Sequence, residues 1–276
     1  MTPTELLASA SARHAVFAGE RIVDVYHYVR PLARPPKELI LSVEKMATER
    51  FEGGIVAVAA HAANFCANVQ HVFDRTITKE RYIERAYNRK LFQVYTGMEL
   101  HKVHHYSCPD VLAVVDYGHG MFAEPQQPVA FFALNVQTNS ANYGFNLATR
   151  YTHADYLLVD ENEARLATQN RSGDIEQSLL ALGKIASKVV ITLGVRGAIG
   201  LDGGDISRSD AHEIKVIDTL GAGDAFFAVT ALIAEDADMP SILRIGQAAG
   251  GLKTQILGHQ ASVTKDALLE YLAKHP

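Results

Sequence analysis

The stretch DTLGAGDAFFA, Asp218 to Ala228, places three small residues and two aspartates directly ahead of an apolar segment. Gly221 and Gly223 bracket Ala222, and Phe226, Phe227, Val229, Thr230, Leu232 and Ile233 then suit a buried helix. Glycine permits backbone conformations and close approaches that a side chain would block. The free N–H groups at a helix start form an anion site, reinforced by the helix dipole. An aspartate at such a place, here Asp224, is either an N-terminal cap or a base held beside a reacting phosphate. Upstream, in KVVITLGVRGAIGLDGG, an apolar run ends at Thr192 and Gly194 and returns through Gly197 into a second one, a pattern shared by any Gly-containing hairpin. In ADYLLVDENEARLAT, Asp160 and Glu163 have the three-residue spacing of a cap that opens a helix.

These residues need elements to carry them. Short β-rich runs recur at 14–18, 111–116, 129–136, 155–160 and 188–193. Helical patterns lie at 55–69, 161–169, 174–186, 222–235, 241–256 and 265–273. Strands alternating with helices predict a mainly parallel sheet covered on both faces. IVDVYHYV, 22–29, alternates apolar with polar residues and runs into the Pro-rich RPLARPPKE, which predicts an exposed β-segment leaving the body, a lid or dimer element within 20–50.

The 276 residues suffice for one large α/β domain with an appended lid, and 48% hydrophobic and 21% charged residues exclude disordered and fibrous classes. A net charge of −5 lacks the basic face that nucleic acid requires. Arg75, Lys79, Arg81, Arg85, Arg89 and Lys90 crowd one segment, read as a solvated charged ribbon or as a local basic patch. Cys66 and Cys108 form no metal-ligand or disulfide spacing, so reduced thiols are expected. No apolar run approaches the length of a membrane span, and a cytoplasmic protein without membrane partners is expected.

The string Asp218-Thr219-Leu220-Gly221-Ala222-Gly223-Asp224 resembles the Asp-Thr-x-Gly-Ala-Gly-Asp signature of the PfkB carbohydrate kinases, the ribokinase-like family, at every specified position. The resemblance implies a three-layer α/β/α sandwich with a small β lid. It makes Gly221, Ala222 and Gly223 the anion hole for the transferred phosphoryl group and Asp224 the base for the sugar hydroxyl. Thr192, Gly194 and Gly197 match the family's hairpin beside ATP, and Asp218 and Thr219 join them on the cofactor side. The family's Asn-x-x-Glu segment, which helps hold Mg²⁺, corresponds to Asp160 and Glu163, so a carboxylate replaces the asparagine; two carboxylates still suit a hard cation. Asp24, Gly53 and Gly54 fall at the family's sugar-binding positions. The asparagine expected beyond the glycine pair, with two residues intervening, is absent, since Ala57 stands there, and Asn64 lies ~10 Å further along the predicted helix.

The segments AVVDYGHGMF and ALNVQTNSANYGFN look like those of heptose 7-phosphate kinases and of PfkB domains associated with cytidylyltransferases, with His119 in a lysine position. Between the HAANF helix and RTITKERY only about ten residues remain, too few for the further strand and helix of other family members. The sugar side is therefore remodelled and the N-terminal half shortened. The reading is an ATP- and Mg²⁺-dependent sugar or sugar-phosphate kinase, acting as a homodimer paired through lid strands. The alternative is a non-catalytic nucleotide- or sugar-binding domain in a polysaccharide-assembly system. Ala57 and Asp160 favour that alternative; the joint retention of Asp218, Gly221, Gly223 and Asp224 opposes it. Pyridoxal or nucleoside phosphorylation has no positive feature.

Overall fold

The computed structural model describes residues 1–100, 109–122, 131–212 and 214–275. Cys108 and residues 129–130 of the predicted strand lie outside them. The chain begins with α1 (Pro3–Ala10), β1 (His14–Gly19), β2 (Arg21–Pro31), β3 (Val43–Gly54), α2 (Ile55–Ala62), β4 (Asn68–Val72), β5 (Arg75–Glu84) and β6 (Arg89–Leu100). It continues with β7 (Val111–Asp116), β8 (Phe131–Val136), β9 (Ala154–Asp160), α3 (Glu161–Thr168), α4 (Ile175–Leu182), β10 (Ala186–Thr192), β11 (Ala198–Asp202) and β12 (Asp205–Ser209). The last elements are α5 (Ala222–Thr230), α6 (Met239–Thr254) and α7 (Lys265–Lys274).

Among the described residues the main sheet has the order β12-β11-β10-β9-β8-β7-β1-β4. It is parallel from β10 across to β4, and β11 and β12 add an antiparallel edge. Alternate side chains point to opposite faces of a strand, and the sequence supplies apolar residues at both parities. Val111, Ala113 and Val115 pack with α2, α5 and α6, whereas Leu112 and Val114 pack with α3 and α4. The result is the three-layer sandwich expected from the alternation.

The second sheet, β3-β2-β5-β6, is the lid. Its strands come from 21–54 and 75–100, wider than the expected 20–50. IVDVYHYV is not an exposed arm. It lies in β2, flanked by β3 and β5, with Ile22, Asp24 and Tyr26 all buried. The basic segment is likewise not a solvated ribbon throughout: β5 buries Lys79 and Arg81, while Arg85, Arg89 and Lys90 at the hairpin tip are exposed. The shortening is visible, since β4 passes to β5 through two residues, with no helix between them.

Element ends differ where side chains compete. The predicted helix over 55–69 stops at Ala62, after which Phe65 and Cys66 turn into the core. Asn64, beyond that end, is exposed and bonds the Ala60 carbonyl, so it has no part in the cleft. α1, opened by a Thr2–Glu5 capping box, gave no periodic signal in eight residues. No described helix is long and apolar enough to cross a membrane.

α5, which carries the signature, packs on α6 through Gly246. A methyl group there would come within 2.2 Å of the buried Phe226 ring. Overpacking costs about 1–3 kcal/mol, against a helix-propensity gain of roughly 1 kcal/mol for alanine over glycine. Gly246→Ala is therefore expected to lower the urea midpoint. An unchanged midpoint would mean that the two helices separate freely.

Candidate active site

Gly221 caps α5 in a left-handed conformation, φ +76°. A side chain at this position would be strained and would also meet His259 Cε1 at 3.0 Å and Lys253 Cε at 3.3 Å. The turn therefore requires glycine, and it delivers the first amides of the helix to a cleft of about 1100 Å³. Gly221, Ala222, Gly223 and Asp224 line that cleft together with Thr219. Thr192, Gly194 and Gly197, from the turn between β10 and β11, form another part of its wall. Asp218 stands behind the wall. Its Oδ1 accepts the Leu220 N–H at 3.1 Å and its Oδ2 the Gly258 N–H at 3.1 Å.

Two neighbours orient the Asp224 carboxylate. Gln137 Nε2 donates to Oδ1 at 2.8 Å, and the Tyr117 hydroxyl donates to the same oxygen at 3.4 Å. Burial, with Asp224 nearby, pushes the Tyr117 phenol well above its usual range, so it remains a donor. Both residues sit in segments singled out by resemblance, but nothing in their types marks them as contacts of Asp224. Only the pairing of β7 with β8 brings residue 117 beside residue 137.

Asp160 and Glu163 also line the cleft, and they do form a capping box. Asp160 Oδ1 accepts the Glu163 N–H, and Glu163 Oε2 accepts the Asp160 N–H, both at 2.7 Å; Glu163 Oε1 accepts from Thr138 N–H at 2.9 Å. Burial, then repulsion from Asp160, raises the Glu163 carboxyl to about 8. Asp160 is raised too, first by burial. This oxygen-only donor set fits a hard cation such as Mg²⁺, whose charge would favour the ionised form of Glu163. Among the described residues no cluster of three or more His, Cys, Asp or Glu could hold a metal ion.

The lid lies beside the turn, outside the lining of the large cleft. Asp24 is buried and ion-paired with Arg81, and His259 Nε2 lies 3.4 Å from its other oxygen. Gly53 lets β3 run past this group, since a Cβ would meet Asp24 Oδ2 at 2.6 Å; Gly54 caps α2. Asp24, Gly53 and Gly54 are thus brought together, but away from the lining of the large cleft. Lys79, also 8% exposed, lies 5.4 Å from the Tyr95 ring centre, and burial lowers its ammonium to about 8, against the attraction of Asp224 and Glu20. His119 Nε2 is buried without a hydrogen-bond partner among the described residues, and burial lowers this histidine to about 4.

A parallel α/β sandwich whose β lid covers a helix start bearing amide donors and a carboxylate is the architecture of the ribokinase-like fold. The chain belongs to the pfkB family of carbohydrate kinases: the family pattern, "pfkB family carbohydrate kinase", matches residues 126–266, about half of the chain. A ribokinase of Lactococcus lactis is 30% identical over 112 residues, 40% of this chain and 36% of that one. The ATP-dependent 6-phosphofructokinase isozyme 2 of Escherichia coli is 37% identical over 79 residues, 28% of this chain and 25% of that one. The matches thus span about a third or less of these curated relatives. Two solved structures share the fold along nearly the whole chain. A Methanocaldococcus jannaschii nucleoside kinase has TM-score 0.70 at 14% identity, covering 96% of this chain and 100% of that one. A Thermotoga maritima ribokinase has TM-score 0.73 at 12% identity, covering 95% and 99%.

The raised Glu163 carboxyl predicts a stability slope. The folded protein holds this proton more tightly than the unfolded chain, so unfolding free energy falls as pH rises from the ordinary value of 4.5 towards about 8. Glu20, raised to about 6, contributes below that window's upper part. Urea denaturation of the ligand-free protein between about pH 6.5 and 8 should show the decline, and Glu163→Gln should flatten it. An equal decline in both proteins would reject the assignment.

Proposed function

We propose that this protein is an ATP- and Mg²⁺-dependent kinase whose acceptor is a sugar already bearing a phosphate, a heptose 7-phosphate being the favoured class. The supporting observation is the pair Lys79 and Arg81. Both are buried on one face of β5, within the lid, and the field of Asp224 acts on Lys79. A neutral sugar offers two desolvated cations only uncharged hydroxyl acceptors, whereas a phosphate accepts charge-assisted hydrogen bonds from both. Arg81 already serves Asp24, so Lys79, without a carboxylate partner among the described residues, is the cation more available to a ligand.

In this reading Asp224 takes the proton of the acceptor hydroxyl. The freed oxygen bonds to the γ-phosphorus of ATP, the bond to the bridging oxygen breaks, and ADP leaves. Amides of Gly221, Ala222 and Gly223 meet the charge that spreads over the phosphoryl oxygens, and such preorganised donors are the main resource of phosphoryl transfer. Thr192, Gly194, Gly197 and Thr219 border the nucleotide, and Asp218 supports them from behind. Glu163, with Asp160 beside it, would hold Mg²⁺, which supplies neutralisation of phosphate charge. Asp24, Gly53 and Gly54 border the sugar. Use of ATP implies a cytoplasmic setting. Pairing of two copies through their lids accords with Met46, Phe92 and Val94, which expose 50%, 40% and 40% on the outer lid face.

The test is ADP release with ATP and Mg²⁺ against phosphorylated and free heptoses and hexoses. Asp224→Asn should lower kcat by about 10³-fold or more. Lys79→Met should raise KM for the phosphorylated acceptor about tenfold or more, the worth of a hydrogen bond between charged partners, with KM for ATP little changed. Preference for free sugars, or an unchanged acceptor KM in Lys79→Met, would overturn the acceptor class.

A further inference from the structure

Directly behind the anion hole lies Lys253, in the last turn of α6, with no exposed surface at all. Buried lysines are rare unless paired, yet among the described residues this one forms no ion pair with a carboxylate. Its Nζ instead donates to three backbone carbonyls: Leu220 at 2.9 Å, Gly258 at 2.6 Å and Ile256 at 3.4 Å. Leu220 immediately precedes the hole, and Gly258 belongs to the loop that follows α6. Asp218 binds the amide hydrogens of the same two residues, Leu220 and Gly258. One carboxylate takes their N–H groups, and one ammonium takes their carbonyls.

The consequence for the hole follows from the planar trans peptide, in which C=O and N–H point in opposite directions. Holding the Leu220 carbonyl inward on Lys253 turns the Gly221 N–H the other way, toward the cleft that Gly221 lines. Carbonyl oxygens converging on one point from two loops form the kind of nest that takes a compact monovalent cation.

We propose that Lys253 is a tethered monovalent cation that sets the anion hole: a positioning residue that aims the Gly221 amide without touching the substrate, and that makes the protein independent of dissolved K⁺ or NH₄⁺. The ammonium also places one positive charge behind the site where phosphate charge would collect. Burial lowers its pKa, and Asp218 and Asp224 act in the opposite direction.

The test uses the full chain in tetramethylammonium chloride, whose cation is too large for the nest, with K⁺ or NH₄⁺ then added. Wild type should respond to neither. Lys253→Ala empties the nest and leaves its carbonyls. Its kcat should fall by about 10²-fold, the effect of a lost hole donor, with KM for ATP nearly unchanged. Added NH₄⁺ or K⁺ should restore most of the loss with saturation and raise the melting temperature with the same half-saturation. Lys253→Met keeps the stem's bulk but no charge; its kcat should fall alike, and no cation should rescue it. A folded Lys253→Ala that binds an ATP analogue but is rescued by neither cation overturns the proposal. So does wild-type activation by K⁺, and so does a Lys253→Met variant with full turnover, the deciding result should the alanine variant not fold. The kcat readout rests on the kinase reading, whereas the melting-temperature readout does not. Inactive wild type with a cation-responsive Lys253→Ala would sink the former and leave the latter standing.

Discussion

The left-handed turn at Gly221 is the constraint on which the rest of the structure depends. It lets the chain enter α5 with its first amides facing the cleft and with Asp224 one turn into the helix. A turn of this kind is not self-supporting. Asp218 and Lys253 hold it from behind, and the apolar stripe of α5, from Ala225 to Val229, anchors it to α2 and α6. The lid is tied to the same point, since Tyr26 reaches Asp218 at 3.5 Å and Lys90 reaches it at 3.8 Å. A single buried carboxylate thus links the turn, the loop after α6 and the lid.

Charge is arranged asymmetrically about that turn. Asp160 and Glu163 lie on the side of the cleft with Thr192 and Gly194, where burial makes their negative charge costly. Lys79 and Arg81 lie under the lid, where burial makes positive charge costly. Unpaired buried charge is unfavourable, and Arg81 meets that cost through its ion pair with Asp24. Glu20 secures the lid-side loop by accepting the N–H groups of Tyr117, His119 and Met121.

The shortened segment after α2 has a geometric effect. With only two residues between β4 and β5, the edge of the main sheet leads straight into the lid, and no helix intervenes. β5 consequently lies between β2 and β6 in the lid, and its residues at alternate positions, Lys79 and Arg81, are buried together on one face. Asn64 is left outside, because the helix that would have carried it inward ends at Ala62.

The layer architecture and the glycine turn before α5 were legible in the chain, because they depend on local rules: apolar periodicity, strand–helix alternation, and glycine where φ must be positive. β7 to β10, α3 to α6 and the cluster from Thr219 to Asp224 belong to that class. The lid strands were less legible. β3, β5 and β6 are rich in charge, and they form strands only because β2 pairs with β3 and β5 while β5 pairs with β6, a condition no local window contains. Gln137, Tyr117, His259 and Lys253 were illegible for the same reason. Each acts through an oxygen or an amide contributed by a distant element, and only packing of the sheet, the lid and α6 against one another determines which groups meet. Sequence alone determined where the glycine turn and Asp224 would stand; tertiary structure decided what holds them, because hydrogen bonds and buried charges depend on distances that chain order does not specify.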